Sequence, residues 1–534
     1  MNKTKNFHKM VGYQIYPKSF KDSNDDGFGD IQGIIEKLPY LKKLGIDFIW
    51  INPIYKSPQI DGGYDISDFY AIDEMFGTMD DFKKLLQKAH DLDLKIIMDL
   101  VVNHTSDQHP WFIESRKSLN NSYRDFYHWI DEPNDWKSFF GGSTWTFDET
   151  TKQYYFHVFG KSQPDLNWKN PKVREAIYKM VRFWLSLGID GFRLDAISHI
   201  QKENWDFKIT SWEDNGPWQP FMNVAGIEQY LSELKTIFDE FGALTVGEAS
   251  GVLSSEAPNW TNENGYLDMI FELEHNVGNL PKKQRLQKYK STIIRWQKDM
   301  EKTGWNALYL ENHDNPRIVN VLGDGSQKAA AALAVSYMLL RGTPFIYQGQ
   351  EIGMTNFPFT DISQLSTTED LVKFDELVQS NLTKKQALTE VTKNSRDHSR
   401  TPFQWNSTEN AGFTAGKPWK AINPNHMEIN VEKSSDLIKL YQALIKLRHE
   451  EPAISDGSVK FYYENHPKLF AYQRDGFLII VNLSETGTMV NFDEIENYQQ
   501  ILGSKARKLK QNMRFEAWEY QVFKKLKRSK NEAN

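Results

Sequence analysis

Eight short apolar runs, spaced by amphipathic stretches and each closing on polar residues, constrain this chain more than any other feature. Val11-Gly12-Tyr13-Gln14-Ile15-Tyr16-Pro17 alternates and stops at a proline, the mark of a strand. Phe48–Ile51, Lys95–His104, Gly191–Asp195, Leu244–Glu248, Leu267–Leu273, Asn306–Leu310 and Pro344–Gly349 read as seven more. Between them run helical patterns: Ile31–Leu44 with Gly45 as its stop, a capped start at Thr78-Met79-Asp80-Asp81 running to about Leu92, Val173–Leu187, and Ile227–Phe241. Strand and helix alternating over roughly 450 residues predict an α/β fold, a parallel (β/α)8 barrel.

Two stretches break the alternation. Residues 105–171 are rich in aromatic, Asp, Asn and Gly residues and read as an inserted domain between barrel parts 1–104 and 172–456. After the helical pattern Leu437–Glu450 the period drops to two in Val459–Tyr463, Leu469–Gln473, Leu478–Leu483 and Phe515–Phe523, which predicts a C-terminal β-sandwich over 457–534.

Composition removes several function classes. The chain has no cysteine, which excludes disulfides, thiolate metal sites and thiol catalysis and fits a cytoplasmic setting. A net charge of −7 spread along 534 residues lacks the basic footprint of a nucleic-acid binder. The start, Met1–Lys9, is polar, and no run approaches the ~18 apolar residues of a membrane span. Aromatic residues make up 13%, which favours a flat organic ligand such as a sugar or base.

In a parallel barrel the active site forms at the C-terminal ends of the strands, and there the polar residues fall. Within Gly191-Phe192-Arg193-Leu194-Asp195, Arg193 and Asp195 are two apart and project to one face. An arginine beside an aspartate favours its ionised, nucleophilic form, although a structural ion pair would look the same. Asp99 and His104 follow the third run, Glu248 ends the fifth, and His313 and Asp314 follow the seventh. Gathering like charges on one rim costs stability unless chemistry requires it. Catalytic metal binding and two-carboxylate glycoside cleavage both use such sets. The absence of His-x-His pairs and of a basic phosphate cradle, with the aromatic excess, favours the sugar chemistry.

After the first strand, Asp22-Ser23-Asn24-Asp25-Asp26-Gly27-Phe28-Gly29-Asp30 carries oxygen side chains at alternate positions, a spacing suited to a hard cation such as calcium. The twelfth position is Gly33, so it is not an EF-hand, and an acidic turn without metal is the alternative.

Four stretches resemble the four signature regions of the α-amylase family, glycoside hydrolase family 13: Asp99-Leu100-Val101-Val102-Asn103-His104, Gly191-Phe192-Arg193-Leu194-Asp195, Gly247-Glu248 and Asn312-His313-Asp314. Gln163-Pro164-Asp165-Leu166-Asn167-Trp168, Gly342–Gly349 and Arg400-Thr401-Pro402-Phe403-Gln404-Trp405 resemble its oligo-1,6-glucosidase and α-glucosidase branch, whose members act on short α-glucosides from the non-reducing end. The resemblance implies Asp195 as nucleophile, Glu248 as general acid/base and Asp314 as the carboxylate holding sugar hydroxyls. It implies that His104 and His313 donate to ring hydroxyls, that Asp61 and Arg400 grip the terminal glucose, and that Tyr64 is an aromatic platform. It further implies a structural calcium held by Asp22, Asn24, Asp26, Phe28 through its carbonyl, and Asp30. On chemistry alone Arg193 keeps Asp195 ionised, while Glu248, after the apolar run Leu244–Val246, can hold a proton.

Ala196 follows the nucleophile; in the family this chain resembles, members preferring α-1,4 bonds tend to carry Ala or Thr there and those preferring α-1,6 bonds tend to carry Val. The Gln163–Asn167 stretch is of the oligo-1,6 type. The residue beside the chemistry takes precedence, so the expectation is an exo-acting, retaining α-glucosidase preferring α-1,4 bonds, with an oligo-1,6-glucosidase as the alternative. A monomer is expected, acting on small oligosaccharides with no nucleic-acid or membrane partner. A catalytically dead scaffold, like the transporter heavy chains that resemble this family, is disfavoured because every catalytic carboxylate is retained.

Overall fold

The computed structural model describes residues 6–209, 216–492 and 497–526. Outside these fall the first five residues of the polar start, the middle of the polar stretch Gln201–Phe221, and part of the predicted C-terminal domain, including its last eight residues.

Eight parallel strands form the barrel: β1 (Gly12–Ile15), β2 (Phe48–Ile51), β3 (Lys95–Val101), β4 (Gly191–Asp195), β5 (Leu244–Glu248), β6 (Met269–Phe271), β7 (Ala307–Leu308) and β8 (Thr343–Tyr347). Their order in the sheet is β6-β5-β4-β3-β2-β1-β8-β7, and a parallel bridge between Ile270 and Asn306 closes the ring. Nearly every strand residue is buried, because the helices cover the outside and side chains fill the inside. Phe48, Trp50, Ile97, Val246, Phe271 and Phe345 pack the interior.

The covering helices start and stop where local chemistry dictates. In α1 (Ile31–Leu44) the Asp30 side chain accepts from Gly33 N, and Gly45 ends the helix in the left-handed region at φ 101°. α2 (Met79–His90) opens on a Thr78/Asp81 capping box, and α3 (Pro171–Leu187) on Asn170 with Pro171 at the first position. α4 (Ile227–Phe241), α5 (Lys282–Met300) and α6 (Gln327–Met338) follow. After β8 come a helical hairpin, α7 (Thr368–Gln379) and α8 (Lys384–Thr392), and then α9 (Ser435–Glu450). The hairpin has its own small core of Leu365, Phe374, Ala387 and Val391, apart from that of the barrel.

Between β3 and α3 lies a three-stranded antiparallel sheet of Trp129–Ile130, Gln153–Phe156 and Trp145–Asp148. The C-terminal part pairs a five-stranded antiparallel sheet with the two-stranded Thr488–Asn491/Asn512–Phe515 ribbon across an apolar layer that includes Ile480, Val490, Phe515 and Phe523. One expectation fails here. The run Phe515–Phe523 is not one strand: Asn512–Phe515 and Tyr520–Lys525 belong to different sheets, and the chain turns between them at Trp518, with φ 56°. The Trp518 indole donates to Asp324 on the barrel at 2.8 Å, so a tertiary anchor overrides local alternation.

Candidate active site

The register of β3 against β4 places Asp99 directly beside Arg193 and Val101 beside Asp195. Gly191 permits β4 to sit this close to β5: a Cβ there would lie 1.8 Å from the Leu244 carbonyl oxygen. The outcome is one guanidinium serving three carboxylates. Arg193 Nη1 donates to Asp99 Oδ1 at 2.5 Å and to Asp195 Oδ1 at 2.6 Å, and Nη2 donates to Glu248 Oε2 at 2.8 Å. Glu248 also accepts from Ala196 N at 3.1 Å. Asp99 is fixed from behind by the Trp50 indole at 2.8 Å and the Tyr64 hydroxyl at 3.2 Å.

Arg193 does not serve Asp195 alone. Burial pushes the Asp195 carboxyl well up, Arg193 pulls it down, and the neighbouring Glu248 and Asp99 push it up again. One guanidinium is thus shared among three carboxylates, and burial with its two carboxylate neighbours sets the upward direction at Asp195.

Asp195 and Glu248 stand in a cavity of about 390 Å³ that is also lined by Asp61, Tyr64, His104 and Asp314. His104 is buried and bonds the Tyr64 carbonyl at 3.0 Å through Nε2. Burial lowers its pKa, so the ring stays neutral. Asp314 lies under three cationic or donor groups: Arg396 Nη1 at 3.1 Å, Arg400 Nη2 at 2.8 Å and His313 Nε2 at 3.0 Å. Burial alone would raise the Asp314 carboxyl, but these three outweigh it and hold it well below the usual range.

Three residues singled out from the sequence support the cavity without lining it. Arg193 lies beneath it, holding Asp195 and Glu248. His313 is fully buried, with its ring stacked on Tyr64 at 5.2 Å. Arg400 donates to the His313 carbonyl and to Asp314. The arginine that reaches Asp61 is instead Arg396, whose Nη2 donates to Asp61 Oδ1 at 3.2 Å and Glu369 Oε2 at 2.6 Å. Arg396 thus ties Asp61, Asp314 and Glu369 into a closed end. Sequence reasoning missed Arg396, Glu369 and Asp370. Arg396 carried a signal, since it precedes Arg400 by four residues in one polar stretch. Glu369 and Asp370 carried none, because acidic residues in a helix's first turn are ordinary. Phe139, Phe140 and Phe159 complete an apolar wall.

The Asp22–Asp30 loop lies away from this cavity. Asp22 accepts from the backbone N–H groups of Asn24, Asp25 and Gly27, while Asp30 accepts from Ser23 and Gly33. Gly27, at φ 96°, approaches the Lys417 carbonyl so closely that a Cβ would clash at 2.1 Å. The oxygen donors are of the type calcium takes. Among the described residues, however, no three acidic or histidine side chains gather as a cation site; Asp22 and Asp26 accept from the loop's own backbone, and Asp25 accepts from Ala415 N. Among the same residues, no helix is long and apolar enough to cross a membrane.

A family model described as the alpha amylase catalytic domain matches residues 14–457. The chain is 46% identical over 503 residues to a probable oligo-1,6-glucosidase 3 of Bacillus subtilis (strain 168), covering 90% of this chain and 91% of the relative. It is 44% identical to an oligo-1,6-glucosidase of Heyndrickxia coagulans, covering 93% and 95%. The solved trehalose-6-phosphate hydrolase of Bacillus licheniformis superposes with a TM-score of 0.90 at 40% identity, covering 97% of this chain and 99% of that one.

Proposed function

Since the chain belongs to the α-amylase family of glycoside hydrolases, we propose that it is a retaining, exo-acting α-glucosidase that releases glucose from the non-reducing end of short α-1,6-linked glucosides. The observation that carries this reading is the suspension of Asp195 and Glu248 from the two arms of Arg193, inside a cavity closed at one end by Asp61, Arg396 and Asp314. A shared cation brings the carboxyls together, which suits the ~5–5.5 Å separation of retaining pairs. A closed end suits a chain terminus.

In the first step Asp195 attacks the anomeric carbon while Glu248 gives its proton to the glycosidic oxygen, so the leaving sugar departs neutral and a covalent glucosyl ester remains. In the second, Glu248 takes a proton from water, the water oxygen attacks the same carbon, and Asp195 leaves as carboxylate. Asp314, held anionic by its arginines, binds sugar hydroxyls as they acidify towards the transition state. The first product detected by NMR is expected to be α-glucose; β-glucose appearing first would sink the covalent intermediate.

The α-1,6 assignment rests on the names of the relatives at 44–46% identity. A specific residue supports α-1,4 bonds instead: Ala196 lines the cavity, and its small side chain leaves room for a leaving glucose pressed close to the first sugar. Ala196 adopts φ 45°, in the left-handed region, where a β-branched residue is strained. Ala196→Val is therefore expected to cost about 1–2 kcal/mol of stability and to lower the ratio of maltose to isomaltose kcat/KM by roughly tenfold. Wild-type preference for isomaltose supports the first assignment. Preference for maltose, reversed by Val, supports the second.

We also propose that the Asp22–Asp30 loop binds one calcium ion for stability, from its donor types and their spacing. Occupation would require its carboxylates to turn from their own backbone to the ion. Chelation is expected to lower the melting temperature, and added calcium to restore it by mass action. A melting temperature indifferent to both would refute the site.

A further inference from the structure

The cavity carries more negative charge than glycoside cleavage requires. Among the described residues six carboxylates line it, namely Asp61, Asp195, Glu248, Asp314, Glu369 and Asp370, against one basic side chain, Arg396. Among the described residues the nearby arginines are already engaged with carboxylates. Arg396 is already bonded to Asp61, Asp314 and Glu369, Arg193 to Asp99, Asp195 and Glu248, and Arg400 to Asp314. The two lining histidines add nothing, because burial holds His104 and His199 below their usual pKa, the latter down to about 4.

Asp370 stands apart from the other five. It accepts from the Ser395 hydroxyl at 2.5 Å, and among the described residues no lysine or arginine forms an ion pair with it, although Arg396 and Arg400 act on it from further off; burial and Asp397 push its carboxyl up. It lies in the first turn of α7, followed by Leu371 and Val372, which are 39% and 47% exposed, while Thr368 of the same turn bonds the carbonyl of Ile60, itself 43% exposed. These exposed neighbours put that turn on the solvent side of the cavity, at its mouth, whereas Asp195 lies deep, at 8% exposure.

We propose that this mouth selects leaving groups by charge, admitting neutral and ammonium-bearing groups and turning away phosphate-bearing ones, with Asp370 as the specificity-determining residue. This rests on the α-glucosidase reading above and separates the chain from a hydrolase of phosphorylated disaccharides of the same fold. A carboxylate a few ångströms from a second charge in a partly buried mouth is worth a factor of about ten or more in kcat/KM.

The test uses three aryl α-glucosides of equal size, bearing p-aminomethyl, p-hydroxymethyl and p-phosphonomethyl groups. At low salt the wild type is expected to cleave the ammonium compound best and the phosphonate at least about tenfold more slowly than the neutral one. Asp370→Asn, which keeps the bond to Ser395, should narrow both gaps, and Asp370→Glu should retain them. Cleavage of all three within about twofold, or gaps that Asp370→Asn leaves untouched, would overturn the proposal. Failure to cleave even the neutral compound would count against the glucosidase reading alone. Charge selection is then read by calorimetric titration of the wild type with glucosamine and glucose 6-phosphate: preference for the amine supports it, and equal or reversed affinity refutes it.

Discussion

Asp195→Asn and Glu248→Gln are each expected to lower kcat on a natural disaccharide by about 10⁴-fold or more, with the protein still folded. Their signatures should differ. Asparagine removes the nucleophile, so no leaving group accelerates the variant, and azide in place of water does not rescue Asp195→Asn to the original product. Glutamine removes only the proton donor and the base. A p-nitrophenyl leaving group, which needs no proton, should therefore still depart from Glu248→Gln, giving a burst followed by slow turnover. Azide should then release the trapped glucosyl enzyme as a glucosyl azide. The effects should also be far from additive, since the residues act on one bond. Activity near wild type in either variant would remove the assigned pair. Equal responses of both variants to leaving group and azide would remove the division of labour between them.

The barrel was legible because a strand buried on both faces has little choice but to be apolar along its whole length, and because its polar end is where the chain must leave the core. Legibility failed where that rule weakens. β7 is only Ala307–Leu308, shorter than the apolar run Asn306–Leu310 suggested, because Tyr309 and Leu310 are buried as core without pairing as strand. The break at Trp518 was invisible because its cause, Asp324, is nearly two hundred residues distant. The site divides along the same line. Asp99, Arg193, Asp195 and Glu248 are presented by strand ends and follow from periodicity. Arg396, Glu369 and Asp370 arrive on the long excursion after β8, and nothing local says which way that excursion folds. Charge balance was the subtler omission: a pair read along one strand looked complete, whereas across strands Arg193 is divided among three partners.

A second divided cation holds the site together from outside, and its removal should be the largest single loss of stability. Lys202 is fully buried seven residues after Asp195, with its Nζ 2.7 Å from Asp165 Oδ2 and 2.8 Å from Asn103 Oδ1. Asp165 in turn accepts from the Asn103 amide at 3.0 Å and from Val158 N at 2.9 Å. Three pieces of chain meet on this ammonium: the end of β3 just before His104, the inserted segment just after Gln163, and the connection that follows the nucleophile. Burial lowers the Lys202 pKa while Asp165 pulls it back up, so the charge depends on its partner. Lys202→Met fills the space but strands Asp165 as an unpaired buried anion, a loss of about 3–5 kcal/mol. Lys202→Met with Asp165→Asn removes both charges and should recover much of it, since neutral replacement of a buried pair is often tolerated. The barrel and the inserted segment need not melt as one unit, so melting is read by calorimetry and the segment separately by limited proteolysis between residues 105 and 171. Faster cutting there, with KM raised more than kcat falls, is expected, because His104 and Gln163 line the cavity from either side of this junction. An unchanged melting temperature in Lys202→Met, or a double variant no better than the single, would mean that the buried ammonium contributes packing alone.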